Sequence, residues 1–199
     1  MASASSSSVS SPPGLIGPGR IVLVVGPSGA GKDAILREVQ SRLAGSPSFV
    51  FPRRLVTRAS NADEHNKTVS AEEFETLVRQ GALALHWSAH GLRYGLPATL
   101  ADAIGRGCSV VVNASRQVVA AARGRYPCAL VYIDAPLWLR AQRLAARNRE
   151  RAKDVAARLE RVVEGFDASQ ADLLIHNNGS LPEASQCFAS WLMSSHGSG

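Results

Sequence analysis

Cysteine is scarce in this sequence, and what there is follows no pattern. Cys108, Cys128 and Cys187 are the only three in 199 residues, an odd count with neither zinc-site spacing nor a disulfide framework. They read as buried, reduced thiols in a cytoplasmic protein. Long apolar runs are missing too. No uninterrupted segment approaches the ~20 residues that cross a bilayer, so no membrane partner is expected. Aromatic residues make up only 6% of the chain, and a net charge of +6 is never concentrated in a basic run. Single-stranded nucleic acid needs aromatic platforms beside a continuous basic groove, and nucleic acid is therefore not expected as a partner. The arginines gather instead at 53, 54 and 58, at 140, 143, 147, 149 and 151, and at 158 and 161. Such clusters suit small polyphosphates better than a long polymer. Arg140, Arg143, Arg151 and Arg161 are expected to be solvated helix faces.

Against these absences stands one dense segment, Gly26-Pro27-Ser28-Gly29-Ala30-Gly31-Lys32-Asp33. An apolar run, Ile21 to Val25, precedes it and an amphipathic stretch, Asp33 to Leu43, follows. The spacing is that of a phosphate-binding loop, G-x-x-x-x-G-K-[ST], in a strand–loop–helix setting. Its glycines let successive N–H groups turn inward as an anion nest at a helix N-terminus. Lys32 adds a mobile positive charge for the β- and γ-phosphates of a nucleotide. The last position departs from the pattern, because Asp33 replaces the hydroxyl that normally holds magnesium. Two readings of Asp33 stand: a ligand to the metal, direct or through water, or a carboxylate that merely complements the helix dipole.

Residues 1–18, rich in Ser, Pro, Ala and Gly, cannot bury enough apolar surface to order themselves, and residues 194–199 read as a frayed tail. Residues 19–193 suit one domain. Its first apolar run feeds the glycine loop, which argues against a secretory signal or anchor. Further strands are expected at Ile21–Val25, within Val50–Val56, and at Leu83–Trp87, Ser109–Val112, Ala129–Ile133 and Leu173–Ile175. Ser70-Ala71-Glu72-Glu73 is a capping box opening a helix with Phe74, Leu77 and Val78. Pro97 fits the first turn of a helix bearing Leu100 and Ile104. Pro136 and Pro182 precede two more. The alternation implies an α/β, three-layer sandwich of the P-loop NTPase type, with a central, mostly parallel five-stranded sheet. A small acceptor-binding segment, about 53–96, and a lid, about 147–158, complete it. Ligands of such sheets bind beyond the strands' carboxyl ends, where the loop also falls.

Phosphoryl transfer asks the protein for positioning and charge neutralisation. No base stands in a hydroxyl-activating arrangement, which favours a phosphate acceptor already ionised at neutral pH, its second pKa being ~6. Arg58, ending the segment Arg53–Arg58, suits a bidentate grip on an acceptor phosphate. In His90–Pro97, a glycine-rich turn carries Tyr94 towards a ligand, or is an ordinary turn. Arg147, Arg149 and Arg158 have the chemistry of a closing lid that neutralises charge on the transferred group. The strand Ser109–Val112 ends in Asn113-Ala114-Ser115-Arg116, without the aspartate that many such proteins place there for magnesium. A carboxylate has moved into the loop instead, so the two changes are expected to compensate.

GPSGAGK, Thr57-Arg58, SAEEF at 70–74, YGLP at 94–97 and the Arg-x-Arg-Glu segment resemble, in that order, the guanylate-kinase group of nucleoside monophosphate kinases. Within the group the chain is most similar to the ribose 1,5-bisphosphate phosphokinases of phosphonate catabolism. GKD at 31–33, VTR at 56–58, AHGLRYG at 89–95, VVVNASR at 110–116 and NNGSL at 177–181 carry that narrower match. The resemblance implies an enzyme using ATP and Mg2+ on a small phosphorylated sugar. Lys32 and the amides of Gly26–Asp33 would hold the nucleotide, with Asn177 and Asn178 bordering the adenine and Asp33 on the metal. Arg58 and Arg116 would hold acceptor phosphates, while Asn113 and Ser115 meet ribose hydroxyls near Tyr94. True guanylate kinases read guanine with acidic residues; His86 and the Asn113–Ser115 stretch stand at those positions, and lost acceptors cost selectivity heavily. Ala34, the segment Asn61–Asn66 and Asn148 depart from the narrower pattern. Guanylate kinase itself, and a non-catalytic guanylate-kinase-like binding module, are the alternatives; such modules lose the loop lysine, which Lys32 retains.

Overall fold

The computed structural model of the protein describes residues 15–58, 66–89, 91–146 and 167–196. In chain order the elements are β1 (Arg20–Val25), α1 (Lys32–Arg42), β2 (Phe49–Val50), β3 (Arg54–Val56), β4 (Asn66–Thr68), α2 (Ala71–Arg79), β5 (Leu83–Ala89), β6 (Leu92–Pro97), α3 (Leu100–Gly105), β7 (Ser109–Asn113), α4 (Val119–Arg123), β8 (Cys128–Asp134), α5 (Leu137–Ala146), β9 (Leu173–His176) and α6 (Leu181–Ser195). Five strands in the order β2-β7-β1-β8-β9 form the central sheet, and every pair in it is parallel. Helices cover both of its faces, as an all-parallel sheet requires.

The residues of β1 show why. Ile21 to Val25 are all fully buried, and successive side chains point to opposite faces. Ile21, Leu23 and Val25 join a cluster with Leu100 and Ile104 of α3 and with Tyr126. Val22 and Val24 join another with Ile35 and Val39 of α1 and with Phe188 and Leu192 of α6. The continuous apolar run is therefore one strand between two cores, and its carboxyl end delivers the glycine loop to the middle of the sheet.

A second sheet, in the order β4-β3-β6-β5, was not expected. β3 and β4 run parallel, while β3–β6 and β5–β6 are antiparallel. Two of the expected strands, in Val50–Val56 and at Leu83–Trp87, thus belong largely to this smaller sheet. Most of the glycine-rich turn expected at 90–97 is strand, because Leu92–Pro97 forms β6 and pairs antiparallel with β5. Pro97 closes β6, and the following helix starts only at Leu100. The sheet is anchored on one side by Phe74 of α2 against Leu55 and Leu83. On the other, Leu85, Trp87 and Leu96 enter the cluster around β1.

Caps match the sequence signals in part. Ser70 accepts a hydrogen bond from the N–H of Glu73 at 3.0 Å. α6 opens with a complete capping box between Ser180 and Glu183, and Pro182 sits inside its first turn rather than before it. That helix runs to Ser195 and His196 bonds Ser109 Oγ at 3.0 Å, so the ordered chain extends past the expected boundary at 193. At the other end the N–H of Ile16 reaches Arg125 O at 3.0 Å. The thiols also differ from expectation, because Cys187 is exposed and Cys108 and Cys128 are half-buried. Among the described residues no helix is long and apolar enough to cross a membrane.

Candidate active site

The loop between β1 and α1 has the shape its glycines foretell. Gly26 has φ +143°, and a Cβ there would lie 2.0 Å from Ile133 O. Gly31 has φ +92°, and its Cβ would lie 2.4 Å from Asn177 Nδ2. Both positions therefore exclude any side chain, by conformation and by contact. Gly31 also N-caps α1 without a side-chain hydrogen bond. The helix start is therefore uncapped by its N-cap residue, an arrangement suited to an anion. Lys32 Nζ lies back over the loop, donating to Gly26 O and Pro27 O, each at 2.8 Å.

Three side chains from distant parts of the chain brace this loop. Arg140 Nε donates to Ser28 O at 3.0 Å. Arg143 donates from Nη1 to Ala30 O at 3.4 Å and from Nη2 to Asn177 O at 3.3 Å. Asn177, buried at the end of β9, donates from Nδ2 to Ala30 O at 2.8 Å. Arg140 and Arg143 are thus structural partners of the loop rather than solvated helix faces. Burial lowers the pKa of Arg143, but a guanidinium stays charged throughout the physiological range. Asn177, expected at the adenine, bonds the loop through its amide and Arg143 through its carbonyl. Asn178 beside it is exposed and donates its N–H to His176 O at 3.0 Å.

Asp33 is the second centre. Its Oδ1 accepts from Asn113 Nδ2 at 2.6 Å and faces Arg54 Nη2 at 3.5 Å. Register explains the first contact: Asn113 pairs with Val24, so the ends of β7 and β1 lie side by side. Arg54, at the start of β3, spans the two sheets. Its Nη1 donates to Asn113 O at 3.1 Å and its Nε to Asn66 Oδ1 at 3.1 Å. Its guanidinium carbon stands 5.8 Å from the centre of the Tyr94 ring, and Tyr94 stacks on Trp87 at 5.5 Å and 11°. Asn113, expected beside ribose, therefore turns its amide to the loop carboxylate.

The remaining expected residues lie around this pair. Arg58 is half-buried just beyond β3. There the hydroxyl of its neighbour Thr57 accepts from Arg93 N at 3.0 Å. Ser115 caps a short 3-10 turn, accepting from Gln117 N at 3.3 Å. Arg116 hydrogen-bonds the Tyr132 hydroxyl, whose pKa is raised by burial and by Asp134 against the opposing pull of Arg116 and Arg140. Asp134, at the end of β8, accepts from Ala135 N at 2.8 Å. Arg147, Arg149 and Arg158, with the expected lid, lie outside the described residues. Sequence reasoning missed Arg54, Arg140 and Arg143 as members of the site. For Arg54 a signal existed, since a carboxylate in place of the loop hydroxyl calls for a nearby donor.

The loop fits a nucleotide phosphate tail on its own chemistry: glycines at positive φ, an uncapped helix start and an ammonium. Among the described residues no group of three or more His, Cys, Asp or Glu side chains gathers for a metal. Magnesium bound beside phosphates usually takes only one or two carboxylates, completing its shell with water and phosphate oxygen. Asp33, whose resolved contacts all run to Oδ1, fits that sparse role through Oδ2.

A family model described as an AAA domain matches residues 21–169. The chain is 51% identical over 168 residues to a ribose 1,5-bisphosphate phosphokinase PhnN of Bradyrhizobium diazoefficiens, covering 84% of each chain. It is 48% identical over 166 residues to a protein of the same name from Acidiphilium cryptum, covering 83% of this chain and 87% of that one. Among solved structures, guanylate kinase from Anaplasma phagocytophilum superposes with a TM-score of 0.65 over 90% of this chain and 87% of that one, at 19% identity. That last likeness is one of fold.

Proposed function

The chain belongs to the ribose 1,5-bisphosphate phosphokinase family, and from that membership we infer its reaction. It transfers the terminal phosphoryl group of ATP to the 1-phosphate of ribose 1,5-bisphosphate, forming 5-phosphoribosyl 1-diphosphate and ADP, a step of phosphonate breakdown. An oxygen of the 1-phosphate bonds to the γ-phosphorus while the bond from that phosphorus to the β,γ-bridging oxygen breaks, and ADP leaves with the bridging oxygen. The acceptor phosphate, with a second pKa of ~6, is largely ionised at neutral pH. No proton need be removed from it, and the chain's task is to position and to neutralise.

The loop N–H groups from Ser28 to Asp33 receive the triphosphate tail. Lys32 exchanges Gly26 O and Pro27 O, its partners at 2.8 Å, for phosphate oxygen. Asp33 would hold Mg2+, directly or through water, and the ion would supply neutralising charge to the triphosphate. Arg140, Arg143 and Asn177 keep the loop in shape from behind. Arg58 and Arg116 hold the acceptor's phosphates, with Ser115 and Tyr94 beside its ribose. Arg147, Arg149 and Arg158 serve the charge that develops during transfer.

The observation that carries this reading is the chemistry of the acceptor side next to an intact donor loop. A guanine edge presents N–H donors and needs carboxylates to receive them. The corresponding groups are His86, exposed on β5, and Asn113, whose amide points to Asp33. A site lacking those acceptors rejects guanine strongly and suits a phosphorylated sugar. Phosphorus NMR of the protein with ATP, Mg2+ and either ribose 1,5-bisphosphate or GMP tests it. A new diphosphate signal from the sugar, with GMP untouched, is the expected result. Turnover of GMP alone refutes the assignment.

A further inference from the structure

The contacts around Asp33 carry more than the reaction. The carboxylate is half-buried and its Oδ1 takes both resolved contacts: the Asn113 amide at 2.6 Å and the Arg54 guanidinium at 3.5 Å. Neither partner belongs to the loop. Asn113 comes from the end of β7 in the central sheet, and Arg54 from β3 in the smaller one. Arg54 is itself held from three further sides, by Asn113 O, Asn66 Oδ1 and the face of Tyr94. These contacts hold the Arg54 guanidinium against Asp33 Oδ1, and among the described residues the side-chain contacts of Asp33 all use that oxygen, which leaves Oδ2 for a metal.

We propose that Asn113 and Arg54 are positioning residues that fix Asp33 as the loop's metal-holding carboxylate. Asn113 then does not bind the sugar; it occupies the place where a strand-end carboxylate would stand, one hydrogen bond from the carboxylate that replaced it. A carboxylate at both places would set two acceptor-only, negatively charged groups within hydrogen-bond distance of each other, with no N–H between them. An amide at 113 avoids this and donates the N–H that orients Asp33. Arg54 places a positive charge 3.5 Å from Asp33 Oδ1 and ties the carboxylate's orientation to the acceptor-side sheet. Outer partners of this kind set the geometry of metal ligands elsewhere.

The inference rests on the kinase reading only for its metal, not for its sugar, and the test separates the two. Calorimetry measures ATP binding to the full chain with Mg2+ and, separately, with a chelator. For Asn113→Ala, affinity in Mg2+ is expected to fall about 10- to 100-fold, the range for a lost outer-shell partner, while the metal-free affinity changes less than about twofold. Arg54→Lys, which keeps the charge and loses the fork, is expected to move in the same direction and guards against a fold lost through Asn113. The exchanged pair Asp33→Ser with Asn113→Asp is expected to recover Mg2+-dependent ATP binding lost in Asp33→Ser alone. Kinetics with ribose 1,5-bisphosphate supply the contrary outcome. If Asn113→Ala raises the sugar KM and leaves the Mg2+ component of ATP binding intact, Asn113 is a sugar ligand and the proposal is wrong. An unchanged Mg2+ component in both single variants overturns it as well. A wild-type protein that binds Mg2+ and ATP but ignores the sugar defeats the function above, not this inference.

Discussion

Replacing Asn177 by Ala separates a loop brace from a base contact. The wild-type amide is buried and donates to Ala30 O at 2.8 Å, and Ala30 is itself fully buried. Removing it leaves that carbonyl, among the described residues, the Arg143 Nη1 group 3.4 Å away. A buried acceptor stripped of its partner costs about 1–3 kcal/mol. Arg143 recovers part of this, so about 1–2 kcal/mol of destabilisation is expected. At about 2–4 °C per kcal/mol for a chain of this size, the melting temperature should drop by about 2–8 °C. Catalysis should suffer more than stability suggests, because a loop displaced by ~1 Å can cost ~100-fold in rate. The choice of base should not change, since the amide faces the loop. Circular dichroism melts and ADP-release assays with ATP and GTP test both halves. A variant that melts like the wild type but shifts its ATP-to-GTP preference would refute the reasoning and return Asn177 to the base pocket.

Lys32→Ala should abolish turnover with either acceptor while leaving the melting temperature nearly unchanged, because its Nζ partners are carbonyls of the loop surface; residual turnover would mean another cation serves the phosphates. Gly31→Ala should lose ATP binding in calorimetry, since the added Cβ would meet Asn177 Nδ2 at 2.4 Å in a left-handed backbone; wild-type affinity would show that the loop is not used as drawn. Burial, with Asp172 adding to it against Arg123, pushes the Cys128 thiol up to about 11. The folded state therefore holds that proton more tightly, and the associated stability is complete below the unfolded thiol's pKa of ~8.5 and lost as pH rises towards the folded value. Denaturant melts across that window should fall more steeply for the wild type than for Cys128→Ala, and at pH ~8 the exposed Cys187 should alkylate first; equal slopes would contradict the shift.

Most of the central sheet was legible because its strands are buried on both faces. Such strands read as continuous apolar runs, and Ile21–Val25, Ser109–Val112 and Ala129–Ile133 stand out without any alignment. The smaller sheet was not, for a physical reason. β4, Asn66–Thr68, is three polar residues held by pairing with β3, and polar edge strands leave no periodic trace. β6 contains Gly95, whose Cβ would meet the Leu83 side chain at 2.8 Å, and ends in Pro97. A glycine and a proline ordinarily mark a turn, and here they are a close strand crossing and a strand end. Tertiary contact overrode local propensity at both.

The site divides along the same line. Gly26 to Asp33 is contiguous, so its function follows from spacing alone. Arg140, Arg143 and Asn177 act on it from more than a hundred residues away, and nothing local distinguishes such arginines from solvated ones. What links them is sheet order. β9 pairs with β8 and β8 with β1, which puts the residue after β9 two strand spacings, about 10 Å, from the loop. The unusual Asp33 and the strand-end Asn113 were each visible as an anomaly, a carboxylate too many in one place and one too few in another. Only the register of β7 on β1, with Asn113 opposite Val24, turns the two anomalies into one contact.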